Sequence, residues 1–576
     1  MVLDIVRDST FGQLVNLASR GRLFPYADQR PDYVVPQRYL AAAPASVPLT
    51  ASPTAADSRP AANELGSSLA QADGATLVGD GDCAFEQDNN HAEDVEKGAA
   101  RPVALPPLAE DYPYLVRFEE DDSDRPLNWS TRKRLFIGGL ICFFNFAVYV
   151  GASVYTSSIT SLMEDFGVGH VAATAGLTLF VAAYGIGPML LSPMQEMPSI
   201  GRNPVYIIGL ALFLIFHIPQ IVANNFVVIL VSRFFSGFVG SPAIATGGAS
   251  LVDIFPPEHV AVAIGVFAMA GVCGPIAGPV IGGFAAEANG WRWPLLEELW
   301  LAGFTFVVLF FSLPETYEPT ILLRRAQRLR RLTGNNLIRA PCELRDGSEA
   351  SLGRLLGRNL TRALRISLDP SVLVANSYTG LVYAEFYVWF ESFPIIFNEI
   401  HGFGLGVGGL PYLGFLVSAV PTLIFYILYQ RWYIASRMAK DPNLPPEIRL
   451  ELGVWSAPII PICLFITGWT AREDVHWIWP IVGASLYIPG IYYAFQAVYI
   501  STIYIQYAAS VLAGNALFRS LFGSVFPLFG AQLFRDLGLG GGSSLLAGIS
   551  ILMIPLLWLI MHYGPVLRAR SNFAVS

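Results

Sequence analysis

The stretch GVFAMAGVCGPIAGPVIGG, residues 265–283, decides the fold class of this chain. It lies within residues 261–286, which carry no charge and are long enough to cross a bilayer, since about 20 apolar residues at ~1.5 Å rise span the hydrocarbon core. Within the stretch, Gly274, Gly278 and Gly282 recur at every fourth position. This spacing places them in one stripe on a helix, where a neighbouring backbone can approach closely. The stretch therefore predicts a membrane helix that packs through glycines, and we expect its partner to belong to the opposite half of the protein.

The composition of the whole chain indicates a membrane protein. Of its 576 residues, 53% are hydrophobic and 14% are charged, against roughly 25% charged in soluble domains. The net charge of -8 arises in residues 1–134, which hold 13 basic and 21 acidic residues, whereas residues 135–576 hold 23 of each. This total gives no indication of a nucleic-acid partner. The five cysteines show no paired spacing, so we expect neither disulfides nor a metal site.

Twelve apolar runs predict twelve membrane spans in two sets of six. The first set covers 135–157, 171–192, 204–223, 226–248, 260–284 and 294–313. The second set covers 372–396, 407–429, 452–470, 476–502, 509–533 and 543–563. The predicted domains are a largely disordered N-terminal tail at 1–131, a six-helix bundle at 132–313, a central loop at 314–371, a second bundle at 372–563 and a C-terminal tail at 564–576.

Basic residues predict the orientation of these spans. The central loop holds 11 arginines and no lysine, and basic residues in short loops favour the cytoplasmic side. Both termini are then expected in the cytoplasm. We expect no signal peptide, because residues 1–126 lack the apolar segment of one, and residues 41–105 are too polar and too rich in proline and glycine to form a core.

Several motifs resemble one transporter family. The pattern of Gly265, Gly274, Gly278-Pro279 and Gly282-Gly283 resembles the fifth-helix signature of proton-coupled exporters of the major facilitator superfamily. Further matching segments are DRPLNWSTRK at 124–133, LVSRFFSG at 230–237, PETY at 314–317, FESFP at 390–394 and RSLFG at 519–523. Over about residues 110–570 the chain is similar to the fungal twelve-span drug:proton antiporters, especially exporters that confer resistance to azoles, such as fluconazole, and to benomyl.

This resemblance implies an all-α membrane protein of two six-helix bundles around a central cavity. It also implies a monomer that exports hydrophobic or amphipathic small molecules in exchange for protons. The plasma membrane is the expected location, and the vacuolar membrane is the alternative. The cargo is a drug, a fungicide or an endogenous secondary metabolite. A polyamine or nutrient transporter and a non-transporting sensor with the same fold are the alternatives. The chain has no phosphate-binding loop of an ATP-driven pump, and we expect neither enzymatic activity nor a cofactor.

The loop SPMQEMPSIGRNP, residues 192–204, resembles the superfamily's cytoplasmic gate. Gly201 and Arg202 match that pattern, Glu196 is the expected acidic partner, and Asp253 is expected to cap a helix or contact the gate. After PETY, the sequence ILLRRAQRLRR predicts an amphipathic basic helix lying along the inner membrane face.

Inserting an ionisable residue into lipid costs several kcal/mol, on the order of 2.5–3.5 on insertion scales. Each such residue inside a span is therefore expected to face a cavity or a partner. Arg233 occupies the arginine position of a fourth-span motif that the resemblance links to proton transfer, although it could instead extend to the membrane surface. Glu385 lies midway along span seven and is the second proton-coupling candidate. Glu297 and Glu298 are expected at the interface, and His217 is expected to be structural.

The superfamily's cavity is lined mainly by spans one, four, seven and ten. The residues predicted to line it are Asn145, Tyr149, Trp389, Glu391, Tyr492 and Gln496, together with the two proton-coupling candidates. For Glu391, span packing or outer gating is an equal alternative. Arg519 in span eleven is expected either to pair with a carboxylate or to reach an interface.

Overall fold

The computed structural model describes residues 2–19, 21–40, 112–345, 352–440, 448–496 and 508–570. The first six membrane helices are α1 (Thr131–Ser153), α2 (His170–Gln195), α3 (Arg202–Val222), α4 (Phe226–Ala245), α5 (Pro257–Asn289) and α6 (Arg292–Ser312). In two of them the residue directly before the helix caps the amino end with its own side chain, where backbone N–H groups lack helical partners. Ser130 accepts from the Lys133 amide of α1, and Asn225 accepts from the Val227 amide of α4.

The second bundle contains more interrupted helices. Its members are α7 (Pro370–Phe393), α8 (Leu413–Leu428, preceded by Leu405–Gly409 and followed by a π-helical segment Tyr429–Ile434), α9 (Ile448–Ser456 and Ile459–Thr470), α10 (Ile478–Ser485 and Tyr487–Gln496), α11 (508–537) and α12 (539–570). The last two meet at Gly538, whose φ of 71° breaks an otherwise continuous helix. A left-handed φ suits glycine because it has no Cβ.

The helices confirm the predicted all-α membrane fold. Ten stretches of the described residues are long and apolar enough to span a membrane. One of them, Val511–Tyr563, contains both α11 and α12, and α7 adds the span that carries Glu385 and Glu391, which gives the twelve predicted spans. The main contacts within the first bundle join α1 to α5 and α2 to α4, while α2 also packs on α11 across the junction between the bundles.

We call the end of the molecule that carries the start of α1 and the end of α6 the linker face, and the opposite end the loop face. At the linker face, helix Glu318–Thr333 buries its apolar side chains Leu322, Ala326 and Leu329. They pack in a small core with Tyr39 of the amino-terminal segment, and with Tyr114, Val116, Ile338 and Ala340. This corrects the prediction that the helix rests on the membrane, because protein covers its apolar side.

Residues 2–40 belong to the segment predicted to be a largely disordered tail, but the structure places most of them in ordered contact with the linker face. Helices Val2–Asp8 and Thr10–Ala18 form, and the Thr10 hydroxyl donates to the Asn203 side chain at 2.6 Å. Asp28 accepts from Arg328 Nε through both carboxylate oxygens, at 2.7 and 3.0 Å. The predicted low-complexity segment, residues 41–105, lies outside the described residues.

Candidate functional site

Four tyrosines and an arginine form a cluster where the two bundles meet. Tyr184 of α2 hydrogen-bonds through its hydroxyl to the hydroxyls of Tyr383 and Tyr387 of α7, the latter at 3.0 Å. Tyr149 of α1 packs edge-on against Tyr184, with ring centroids 5.8 Å apart. Arg519 of α11 donates to the Tyr149 hydroxyl at 3.4 Å. We call these five residues the junction cluster.

Arg519 lies over aromatic faces in this cluster. Its guanidinium carbon is 4.9 Å from the ring centre of Tyr383 and 5.1 Å from that of Phe495 on α10. Within the part of the chain that the structure describes, Arg519 forms no ion pair. The described residues give Arg519 no carboxylate partner; the cation is stabilised by ring quadrupoles at the interface between the bundles, an interaction of about 0.5–2 kcal/mol per ring.

The remaining predicted cavity residues are dispersed. Asn145 donates to the Phe267 carbonyl at 3.0 Å and so joins α1 to α5 inside the first bundle. Trp389 packs on Phe415 and Tyr487 inside the second bundle. Asn145 therefore lies between α1 and α5, where it and Tyr149 both approach Gly271, and Trp389 lies inside the second bundle.

Glu391 and Tyr492 instead connect the two bundles. The Glu391 carboxylate lies 3.4 Å from His170 Nε2 at the start of α2, near the loop face. The Tyr492 hydroxyl donates to the Gly265 carbonyl at 2.9 Å. Gln496 ends the described part of α10, and its side chain lies outside the described residues.

The glycine stripe of α5 faces a helix of its own bundle. A Cβ at Gly274 would lie 2.6 Å from the Tyr149 Cβ, and one at Gly278 would lie 2.1 Å from the Ser153 hydroxyl, so both glycines pack on α1. Gly282 approaches the Val154 side chain just beyond α1 in the same way. The expectation that this stripe packs against the opposite half is wrong.

Other members of the same motif do contact the second bundle. A Cβ at Gly265 would lie 2.5 Å from a ring carbon of Tyr426 on α8, and one at Gly283 would lie 2.8 Å from the Leu405 carbonyl. The Pro279 carbonyl lies against Gly409. The residues of the motif therefore lie on different sides of one helix. The glycine stripe packs on α1, and Gly265, Pro279 and Gly283 contact the second bundle.

Arg233 belongs to a buried charged cluster in the first bundle. Its side chain is fully buried, so it does not extend to the membrane surface. The guanidinium donates to the carbonyls of Gly176 and Ala152 at 3.2 and 3.4 Å, and its Nη1 lies 3.9 Å from a carboxylate oxygen of Glu298. That same oxygen is 2.9 Å from His217 Nε2.

This arrangement corrects two predictions. Glu298 is 1% exposed and lies inside the bundle, whereas it was expected at the interface; its neighbour Glu297 is half-buried. His217, expected to be only structural, faces a carboxylate. The missed signal was that Arg233 needed a buried counter-charge, which only another helix of the bundle could supply.

Glu385 lies inside the second bundle rather than at the junction. It is 1% exposed, and the Ser550 hydroxyl of α12 donates to its Oε1 atom. Its Oε2 atom has no hydrogen-bond partner among the described residues. A buried carboxyl group with a free oxygen can bind a proton, so the geometry is compatible with its predicted role.

The predicted gate residues meet at the linker face. Arg202, the first residue of α3, forms an ion pair of 3.1 Å with Asp253. Glu315, from the PETY segment, accepts from the backbone amides of Arg202 and Asn203 at 3.0 and 3.3 Å and so caps α3. Gly201 adopts φ 83°, and a Cβ there would lie 2.3 Å from Glu315 Oε2.

Glu196 takes part in the gate through its backbone. Its carbonyl accepts from the Tyr317 hydroxyl at 3.1 Å, whereas its side chain is exposed and lies more than 4 Å from the Arg202 guanidinium nitrogens. Burial raises the pKa of Tyr317 to about 12, which keeps this donor protonated. The acidic side chains that contact the start of α3 are therefore Asp253 and Glu315, and the PETY segment was the available signal for Glu315.

The architecture defines a multi-pass membrane protein of two helical bundles joined through an aromatic junction. Residues 141–531 match the Major Facilitator Superfamily, more than half of the chain, and the protein belongs to this family.

Relatives and solved structures agree with this assignment. The chain is 34% identical to the "Cycloheximide resistance protein" of Candida maltosa, over 99% of both chains. It is 32% identical to the "Probable drug/proton antiporter YHK8" of Saccharomyces cerevisiae, over 80% of this chain and 90% of that protein. The fold is similar to the xylose transporter XylE from E. coli, with a TM-score of 0.52 and 14% identity over 74% of this chain and 98% of that one.

Proposed function

We propose that this protein is a proton-coupled exporter of hydrophobic or amphipathic small molecules. The observation that carries the proposal is the junction cluster, because it places four aromatic rings and one cation where the two bundles meet. In transporters of this architecture, substrates bind near the membrane midplane at the interface between repeats. Rings and a guanidinium can hold varied flat or apolar molecules without demanding one hydrogen-bond pattern.

The names of the relatives support both parts of this proposal. One relative is named for cycloheximide resistance and another as a probable drug/proton antiporter. The proposed substrate class therefore includes drugs and fungicides, and also an endogenous secondary metabolite of similar chemistry. No observation favours a polyamine, a nutrient or a sensing role.

Proton coupling is assigned to buried ionisable groups in each bundle. Arg233 and Glu385 lie away from solvent, in different bundles, and each has a polar atom without a hydrogen-bond partner in the described chain. A change of protonation at Glu385, or at a carboxylate that faces the permanently charged Arg233, alters the local packing that its bundle prefers, since an uncompensated buried charge is costly.

We further propose that the linker face is cytoplasmic, that the protein works as a monomer in the plasma membrane, and that Gly201, Arg202 and Asp253 latch that face. The arginine-rich central segment supports the orientation. The Arg202–Asp253 pair joins the start of α3 to the segment that follows α4, which suits a contact that stabilises one state of the transporter.

The test is transport in proteoliposomes with an imposed pH gradient. A panel of azoles, benomyl, cycloheximide and polyamines is offered, and flux is compared with and without a protonophore. We expect flux of one or more of the drugs that disappears when the gradient is dissipated. Gradient-driven flux of polyamines alone would replace the exporter assignment by a polyamine transporter. A complete absence of flux in correctly inserted protein would contradict the proposal.

A further inference from the structure

Three ionisable side chains from three helices approach one another inside the first bundle. His217 of α3, Arg233 of α4 and Glu298 of α6 all have fully buried side chains. His217 Nε2 lies 2.9 Å from Glu298 Oε2, and Arg233 Nη1 lies 3.9 Å from the same oxygen. His217 Nε2, Arg233 Nη1 and both carboxylate oxygens of Glu298 have no hydrogen-bond partner among the described residues, so the 2.9 Å approach is a close contact and not an aligned hydrogen bond. We call the three residues the buried triad.

The second nitrogen of His217 restricts where its protons lie. Nδ1 is 3.2 Å from the Phe213 carbonyl, which can only accept, so this contact requires a proton on Nδ1. In a neutral imidazole, Nε2 then carries a lone pair. A lone pair facing a carboxylate oxygen at 2.9 Å in a dry site is repulsive. One more proton, either on Nε2 or on the Glu298 carboxyl group, would turn this approach of two acceptors into an attraction.

The other groups around the triad do not supply that proton. Arg233 is the cation that faces Glu298, and its guanidinium is enclosed by the rings of Tyr155 and Phe180, at 4.7 and 4.4 Å. α2 contributes the Gly176 carbonyl and α1 contributes the Ala152 carbonyl, both of which accept from Arg233. No second carboxylate faces the triad among the described residues.

We propose that His217 and Glu298 together form a proton-binding site that couples proton entry to transport. The inference rests on the proposed function and adds a site in the first bundle to Glu385 in the second. With the proton bound, the triad carries a net charge of +1 and His217 holds Glu298. When the proton leaves, His217 is neutral, and the Glu298 carboxylate is attracted to Arg233 instead.

This exchange of partners links protonation to helix movement. The free Nη1 of Arg233 is the available partner, and a shift of Glu298 toward it would draw α6 and α4 together. Gly151 of α1 makes the carboxylate's present position possible, because a Cβ there would lie 1.7 Å from Glu298 Oε1. Gly151 is therefore a positioning residue for the site.

The experiment compares His217→Gln and Glu298→Gln with His259→Gln, which alters an exposed histidine at the start of α5. Two readings are taken in proteoliposomes: gradient-driven drug flux as a function of pH, and drug counterflow without a gradient. We expect the gradient-driven drug flux of both triad variants to be at least tenfold lower than that of the wild type and to be independent of pH. We expect both variants to retain drug counterflow. We expect His259→Gln to match the wild type in both readings.

Two outcomes separate the site from the proposed function. A His217→Gln protein with wild-type pH dependence and proton flux would overturn the triad as the proton site, while export itself would stand. Drug flux by the wild-type protein that does not depend on the pH gradient would contradict the proposed function instead.

A measurement on the wild type covers the case in which the variants do not fold. ¹⁵N-histidine NMR of the purified protein distinguishes the protonation states of its seven histidines, and single substitutions of the other histidines, beginning with the exposed His259, assign the signal of His217 by elimination. We expect a His217 signal with a proton on Nδ1 that responds to pH or to drug binding. A His217 protonated only on Nε2, and unchanged under both conditions, would overturn the inference.

Discussion

The Tyr492 hydroxyl donates a 2.9 Å hydrogen bond to the Gly265 carbonyl oxygen and so joins α10 of the second bundle to α5 of the first. Tyr426 of α8 packs edge-on against Tyr492, with ring centroids 5.5 Å apart, and its own hydroxyl donates to the Ala261 carbonyl at 3.4 Å. The first glycine of the motif is thus an inter-bundle contact, whereas the stripe of Gly274 and Gly278 is an internal one.

We predict that Gly265→Ala impairs transport more than it impairs folding. The added Cβ would lie 2.5 Å from Tyr426 and 2.9 Å from the Tyr492 hydroxyl, so both tyrosines must retreat from α5. Tyr492→Phe should have a milder effect of the same kind, since one hydrogen bond contributes about 0.5–1.5 kcal/mol, or roughly a 2- to 12-fold change in the equilibrium between states. Drug flux per inserted molecule is the measurement.

The matched control for this substitution is Gly303→Ala in α6, where a Cβ meets no atom within 4 Å. It should transport at the wild-type rate. If Gly265→Ala also does so, the contact with the two tyrosines does not limit the transport cycle.

We predict that Gly278→Ala destabilises the protein itself. Its Cβ would lie 2.1 Å from the Ser153 hydroxyl and 2.6 Å from the Val154 backbone nitrogen, and the backbone atom cannot move aside as a flexible side chain can. Overpacking of this kind costs about 1–3 kcal/mol. The thermal unfolding midpoint in detergent should fall below that of Gly303→Ala. Equal midpoints for the two variants would show that α1 and α5 separate without cost.

We predict that Arg519→Lys weakens drug binding. Lysine keeps the charge but loses the planar guanidinium that lies over Tyr383 and Phe495. A cation–π contribution of about 0.5–2 kcal/mol corresponds to roughly a 2- to 30-fold higher KM for export. KM and maximal rate are measured separately in proteoliposomes. A change confined to the maximal rate would place Arg519 in the conformational cycle rather than in the binding site.

We predict energetic coupling between Arg202 and Asp253. The pair is 3.1 Å apart, with side chains 9% and 18% exposed, so removing one partner leaves the other charge partly buried. Arg202→Gln and Asp253→Asn, alone and together, form a double-mutant cycle with thermal stability and flux as readouts. The expected coupling energy is about 0.5–3 kcal/mol. Strictly additive effects would indicate that the two residues act independently.

We predict that Arg328→Ala loosens the amino-terminal segment from the linker face. Asp28, its partner at 2.7 Å, is 5% exposed in its side chain and would remain buried without a counter-charge. Limited proteolysis should then cleave within residues 2–40 faster than in the wild type. Arg331→Ala on the same helix is the control, because that residue is exposed. Equal cleavage rates for the two variants would show that the Asp28 ion pair does not hold the segment.

The number and type of membrane helices followed from the sequence, because a bilayer imposes a simple requirement of length and apolarity that each segment meets locally. The motif around Gly265 identified the family for a similar reason, since closely approaching backbones require glycine at particular positions. The buried Arg233 needs a buried counter-charge, and hydropathy could not show which residue supplies it.

The tertiary structure alone decided which surfaces these residues face. A stripe on α5 predicts close packing but not its partner, which is α1 of the same bundle. Glu298 lies two turns into α6, where a carboxylate can face either the interface or the bundle interior, and only packing against α3 and α4 placed it beside His217. The amphipathic linker helix is equally suited to lipid and to protein. Local sequence encodes what a segment can bury, whereas the partner depends on how distant segments assemble.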